Sequence, residues 1–201
     1  MNLVIICGSQ QADSQSLKVA NFLMQRLEAQ QLSAQCSILD LGEHPLALWD
    51  PSIWQGNPEW KATLSPIAER LKNADAFVVI SPEYHGMVPA ALKNFFLMWG
   101  NGELAHKPAL LVGVSASAGG AYPIAELRMS SYKNNRISYM PEHLIVRNVA
   151  KVLNDEPSGE DDEKLRKRID YSLTLLSEYS KAYGAIRQSG VIDLKTWRNG
   201  M

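Results

Sequence analysis

The sequence predicts an α/β fold, a doubly wound parallel sheet with helices on both faces. Three features carry that expectation. Short continuous apolar runs recur, which is the pattern of strands covered on both sides. Longer segments with apolar residues three and four apart lie between them, the pattern of amphipathic helices. The two alternate along the chain, and right-handed crossovers between parallel strands then place helices on both faces.

Leu3 to Cys7 is the first apolar run, ended by Gly8. A polar loop, Ser9 to Ser14, precedes a helix whose Leu17, Ala20, Phe22, Leu23, Met24 and Leu27 recur at helical spacing. Ala34 to Leu41 reads as a second, more polar strand at a sheet edge. The 42–58 segment is a long loop with Pro45, Pro51, Pro58, Trp49 and Trp54, and loops of that length are commonly functional. Ser65-Pro66 has the form of a helix cap followed by a first-turn proline, so part of a helix ending near Asn73 is expected to begin there. Ala76 to Ser81 is the third strand. Pro89 to Trp99 is helical, with Leu92, Phe95, Phe96 and Trp99 on one side. Ala109 to Ser115 is the fourth strand, about Tyr122 to Lys133 a helix, and Leu144 to Val149 the fifth strand. A long helix, Lys164 to Gln188, closes the pattern with Leu165, Ile169, Leu173, Leu176 and Tyr183. Five strands suit the flavodoxin-like order 2-1-3-4-5. The 201 residues have the length of a single domain, with no repeat or linker to divide them.

Composition narrows the function. Apolar residues at 46% and charged residues at 20% can build a sizeable core, which excludes a disordered chain. A formal net charge of -1 offers no global attraction to nucleic acid or an anionic membrane. No apolar run approaches the roughly 18 residues that span a bilayer. Met1 to Cys7 lacks a basic lead-in and does not read as a signal peptide, so a cytoplasmic location is expected. Cys7 and Cys36 are too few for a disulfide scaffold, and Cys7 reads as a buried thiol. His44, His85, His106 and His143 lack ligand spacing, so no metal site is expected. The acids between Asp155 and Glu163, followed by Lys164, Arg166, Lys167 and Arg168, read as a solvated helix start.

In a sheet of this order ligands gather beyond the carboxyl ends of the strands, at the switch point between the first and third. The loops after Cys7, Ser81 and Ser115 are therefore the candidates. The first, Gly8 to Ser16, leads into a helix N-terminus, where free N–H groups and the dipole favour an anion, and Ser9, Ser14 and Ser16 add hydroxyls. It holds no lysine or arginine, and its serines also serve as ordinary helix caps. It matches neither the GxGxxG of dinucleotide folds nor the GK[ST] of P-loops. The second, Ser81-Pro82-Glu83-Tyr84-His85-Gly86-Met87-Val88-Pro89, is stiffened by its prolines and can present backbone groups to a heterocycle. The third, Ser115-Ala116-Ser117-Ala118-Gly119-Gly120, is small enough for a flat ring to approach.

Together, Gly8-Ser9 with Ser14, Ser81-Pro82-Glu83-Tyr84 with Pro89 and Leu92-Lys93-Asn94, and Lys107-Pro108, Ser115, Gly119-Gly120 and Leu127-Arg128 resemble the NADPH-dependent FMN reductase family. The resemblance covers roughly residues 1 to 150. It implies a flavodoxin-like fold, bound FMN, NAD(P)H as co-substrate, and a homodimer or homotetramer. By the same resemblance Ser9, Gln11, Ser14 and Ser16 form the phosphate loop. Pro82, Glu83, Tyr84, His85 and Gly86 form the isoalloxazine loop, and Ser115, Ser117, Gly119 and Gly120 flank the ring from the other side. The chain departs from the family at Gln11 and Ser16, where arginine and asparagine are usual, and in the length of its 42–58 loop.

The expected activity is hydride transfer from NAD(P)H through FMN to a small electron acceptor. No side chain is assigned as catalytic, because the cofactor carries the chemistry, and His85 is at most a minor proton relay. A flavodoxin-type electron carrier or a redox-silent FMN-binding module is the alternative. A serine hydrolase fits poorly: Gly113 to Ser117 misses GxSxG at its last position, and His143 is the sole later histidine.

Overall fold

The computed structural model describes residues 1–200. Five parallel strands form one sheet: β1 (Asn2–Cys7), β2 (Gln35–Asp40), β3 (Ala76–Pro82), β4 (Pro108–Val114) and β5 (Ser138–Val146). Their order is β2-β1-β3-β4-β5, and every pairing is parallel. The helices α1 (Gln15–Ala29), α2 (Pro58–Asn73), α3 (Ala90–Leu97) and α4 (Ala121–Met129) lie between them, and α5 (Glu160–Gln188) follows β5. β3 and β4 are buried at every position, which is why they read as unbroken apolar runs. Alternate residues of each strand feed two cores. Val4, Ile6, Phe77, Val79 and Leu111 face the side packed by Trp60, Leu92 and Phe95. Leu3, Ile5, Val78, Ile80 and Val112 face the side packed by Leu23, Leu27, Ile169 and Leu173.

Three helix boundaries differ from the sequence expectation. α2 begins at Pro58, not near Ser65-Pro66. Asn57 accepts the Glu59 N–H at 2.9 Å, and Pro58 takes the first helical position. Pro66 then lies inside the helix on its exposed side, where water serves the freed carbonyl, and the Ser65 hydroxyl donates to the Lys61 carbonyl at 2.6 Å. α4 stops at Met129 rather than Lys133, because Ser131 turns into the left-handed region. α5 starts at Glu160 rather than Lys164, with four acids in its first turn. Asp162 among them is not solvated. It is buried and accepts the N–H groups of Leu153 and Ser158, each at 3.0 Å.

β5 runs from Ser138 to Val146 rather than from Leu144 to Val149. Its register against β4 shifts between Ala109 and Leu111, at the Pro141-Glu142 stretch that broke the apolar period. An edge strand tolerates such a proline. The consequence is that Arg147 and Asn148 lie beyond the strand, at the end of the sheet where ligands bind.

Candidate functional site

The loops after β1, β3 and β4 come together over the carboxyl ends of these neighbouring strands. In the first, Ser14 is the N-cap of α1, its hydroxyl accepting the Leu17 N–H at 3.1 Å. Ser9 is fully buried. Its hydroxyl accepts the Gln11 N–H at 3.2 Å and lies 3.1 Å from the Tyr84 hydroxyl. Among the described residues, no group accepts the N–H of Gln15 or Ser16 in the first turn of α1. These are the free donors that a helix start offers to an anion. The Ser16 side chain is buried in the helix and Gln11 is exposed. Lys18, one turn further on, is committed elsewhere. Its ammonium donates to the carbonyls of Val149 and Val152 at 2.6 and 2.9 Å and to Asn154 Oδ1 at 3.1 Å.

The second loop is a two-residue hairpin. The Tyr84 N–H donates to the Met87 carbonyl at 3.1 Å, and the Met87 N–H returns to the Tyr84 carbonyl at 2.9 Å. His85 and Gly86 between them both have positive φ, 51° and 74°, which is the type I′ geometry. Glycine enters that conformation without strain; histidine is held in it by the paired ends of the turn. The amides of His85 and Gly86 have no acceptor among the described residues. Tyr84 reaches back to Ser9, so its hydroxyl ties the first loop to the second. Behind the turn, the Val88 N–H donates to Glu126 Oε2 at 2.8 Å, and Glu126 Oε1 meets the Lys93 ammonium at 2.5 Å. Burial raises the Glu126 carboxyl pKa, but Lys93 and the Val88 N–H outweigh it and hold the group below the ordinary carboxylate range.

The third loop is close-packed rather than slack. A Cβ on Gly113 of β4 would sit 2.2 Å from the Gly120 carbonyl oxygen, so the two backbones meet where no side chain fits. Gly120 itself has φ of 100°. Glu83 reaches across from the second loop, and its Oε2 accepts the Gly120 N–H at 2.6 Å. Its other oxygen lies where a Cβ on Gly119 would come within 2.7 Å. Glu83 thus faces inward and staples two loops together, while Pro82 ends β3 as a buried residue beneath them. Ser115 is buried and accepts the Ser117 N–H at 3.2 Å.

Two residues missed by sequence reading complete the site. Arg147 Nε donates to the carbonyls of Ala118 and Gly119 at 2.7 and 3.1 Å. The Asn148 N–H donates to the Ser117 carbonyl at 2.9 Å. Their one sequence signal is their position just after the fifth strand, which the expected boundary hid.

The structure therefore brings Ser9 and Tyr84 together, and Glu83 with Ser115, Gly119 and Gly120. It leaves Gln11 and Ser117 at the exposed rim and His85 at the tip of a turn. Unpaired amides at the start of α1, two more in the 84–87 turn and a glycine-rich third loop beside them suit a phosphorylated planar heterocycle.

Known proteins of three kinds match the chain. The family model described as NADPH-dependent FMN reductase matches residues 1–151. A curated relative, an FMN-dependent NADPH-azoreductase of Staphylococcus aureus, is 30% identical over 134 residues, 64% of this chain and 68% of the relative. A flavoenzyme NAD(P)H:(acceptor) oxidoreductase from Paracoccus denitrificans superposes with a TM-score of 0.70 at 21% identity, covering 90% of this chain and 98% of that one. An FMN-dependent NADH-azoreductase from Bacillus anthracis, solved in complex with FMN, superposes with a TM-score of 0.62 at 16% identity, covering 88% and 100%. At these identities the two solved structures speak for the fold alone.

Proposed function

The chain belongs to the NADPH-dependent FMN reductase family of oxidoreductases, and we propose that it holds one FMN across the three loops and passes hydride from NAD(P)H to a small acceptor such as free flavin, a quinone or an azo compound. One observation carries this reading: three loops with free amides meet at the switch point, joined by the Glu83–Gly120 and Tyr84–Ser9 contacts.

The residues fit the cofactor. The amides of Gln15 and Ser16, at the positive end of α1, take the phosphate. Gly119 and Gly120 add no side chain of their own to the third loop, and Glu83, Ser115 and Ile145 pack against their Cβ sides and hold that backbone in place. The His85 and Gly86 amides, without acceptors of their own, would hold the ring by donating hydrogen bonds to it. When bound, FMN supplies the hydride chemistry. Glu83, Arg147 and Asn148 keep the loops in place, and His85 lies at the rim. A single open site used in turn by donor and acceptor gives ping-pong kinetics. Parallel initial-rate plots support this; intersecting plots reject it.

The first loop lacks a cation, and Lys18 is tied to carbonyls elsewhere, which favours a second reading as a carrier or redox-silent module with weaker FMN. A visible spectrum before and after anaerobic NADPH addition separates the two. Rapid bleaching of a yellow protein identifies the reductase; slow or absent bleaching identifies the carrier or module.

The proposal extends to assembly and place. Met87, Tyr122 and Met129 are exposed, Met129 at 77%, and such apolar surface suits a homodimer or homotetramer, measurable by light scattering. Among the described residues no helix is long and apolar enough to cross a membrane, and a cytoplasmic location is part of this reading.

A further inference from the structure

We propose that Lys18 is a positioning residue for the cofactor site: its ammonium ties the start of α1 to the 147–154 segment, which in turn holds the third loop, and so fixes the phosphate-binding amides relative to the ring-binding backbone. This rests on the flavin reading for its ligand.

The three loops are joined unequally. Ser9 and Tyr84 link the first to the second, and Glu83 and Gly120 link the second to the third. Among the described residues, no hydrogen bond joins the first loop directly to the third. The remaining connection runs through the segment after β5. One side of that segment grips the third loop. Arg147 Nε donates to the Ala118 and Gly119 carbonyls, and the N–H groups of Asn148 and Val149 donate to the Ser117 and Ser115 carbonyls at 2.9 and 3.2 Å. The other side is gripped by the Lys18 ammonium, two residues past Ser16. It donates to the carbonyls of Val149 and Val152 at 2.6 and 2.9 Å and to Asn154 Oδ1 at 3.1 Å. Lys18 and Val149 are 131 residues apart in sequence. They meet because α1 and α5 pack on the same face of the sheet, so the connection from β5 to α5 passes back toward α1.

This is not the ordinary use of a lysine, whose stem packs on the protein while its head stays in water. An ammonium has three protons to donate, and here three protein oxygens receive them. None of the three is charged, and among the described residues no carboxylate lies within 4 Å of Lys18. With its donors taken, Lys18 does not serve the phosphate itself. The segment it holds is sharply bent. Asn148 and Leu153 have φ of 48° and 57°, a left-handed conformation that a leucine keeps only where its surroundings impose it. Lys18 supplies one side of that constraint at the Val149 and Val152 carbonyls. The buried Asp162 supplies the other, accepting the Leu153 N–H at 3.0 Å. Backbone acceptors thus face a cation and a backbone donor faces an anion.

The test compares FMN with riboflavin, which lacks the phosphate and so cannot bridge α1 and the third loop. Both are titrated into flavin-free protein by quenching of flavin fluorescence. Lys18→Met, which keeps the stem and removes the donors, is expected to weaken FMN at least tenfold and riboflavin less than threefold. Hydrogen exchange on the flavin-free protein is the second readout, and there the Asn148 and Val149 amides are expected to exchange at least tenfold faster in the variant. Equal weakening of FMN and riboflavin marks a general loosening and overturns the proposal. Weaker FMN with unchanged exchange marks a direct contact of Lys18 with the phosphate and overturns it too, as does a variant that binds FMN like the parent. Where Lys18→Met does not fold, Asn154→Ala, at an exposed position, removes one of the three acceptors and is read the same way: exchange at Val149 at least threefold faster supports the tie, and unchanged exchange overturns it. Failure of the flavin reading is separate. A parent that takes up no FMN rejects that reading and the cofactor role of Lys18 with it, and the exchange result then decides the tie alone.

Discussion

Replacing Glu83 by alanine removes the acceptor that holds the Gly120 N–H at 2.6 Å and separates the two loops proposed to enclose the flavin ring. A hydrogen bond to an ionised group contributes about 1.5–3 kcal/mol, and Glu83 is half-buried, so the lower end, about 1.5 kcal/mol, applies. Without the staple, FMN binding must itself order the loop, and the lost free energy appears as weaker binding. At about 1.4 kcal/mol per factor of ten, the dissociation constant of the Glu83→Ala variant rises about tenfold. Glu83→Gln keeps a neutral acceptor worth about 1 kcal/mol and falls between, with a rise of about twofold. In a domain of this length the same loss lowers Tm by about 3–6 °C. The assay is quenching of flavin fluorescence on titrating FMN into flavin-free protein, with hydrogen exchange at Gly120 as an independent readout. An alanine variant that binds FMN within twofold of the parent, with Gly120 exchange unchanged, refutes the staple.

Three further outcomes follow from packing and titration. Gly113→Ala drives a Cβ to 2.2 Å from the Gly120 carbonyl, backbone against backbone, and is expected to destabilise by about 1–3 kcal/mol in urea unfolding; a change near zero contradicts the close approach. Asn94 accepts the Trp49 N–H and donates to the Ala47 carbonyl, both at 2.8 Å. Asn94→Leu is therefore expected to cost about 2 kcal/mol and to red-shift tryptophan emission as the 42–58 loop loosens. Burial, with the charge of Asp40 second, pushes the Cys7 thiol up from 9.0 to about 12. A folded-state pKa above the unfolded one contributes stability in full below pH about 9 and loses it as pH rises toward 12. Urea stability of the parent is expected to fall more steeply across that window than that of Cys7→Ala, and equal slopes rule the thiol out as the cause.

The sequence by itself determined the sheet and its order, because both rest on patterns carried by near neighbours. β3 and β4 are buried on both faces, so every residue in them had to be apolar or small, and no alternative period competed. The hairpin at Tyr84 to Met87 was foreshadowed by its glycine and prolines, and the start of α1 by its serine cap. Local chemistry misled where the same signature occurred twice. Ser65-Pro66 imitates a helix start eight residues after the one that Asn57 and Pro58 actually make. Pro141 hid the first half of the edge strand β5, and the expected span, displaced toward Val149, took in Arg147. What only the tertiary structure decided is which distant groups meet. Glu83 and Gly120 are 37 residues apart, and Ser9 and Tyr84 are 75 apart. Lys93 of α3, Lys133 and Arg136 of the turn after α4, and Lys195 and Arg198 near the C-terminus are far apart in sequence and line one cavity. Composition registers a chain that is nearly neutral, because it sums charges without regard to place. The folded backbone separates them, and the fields that recognise ligands depend on distance.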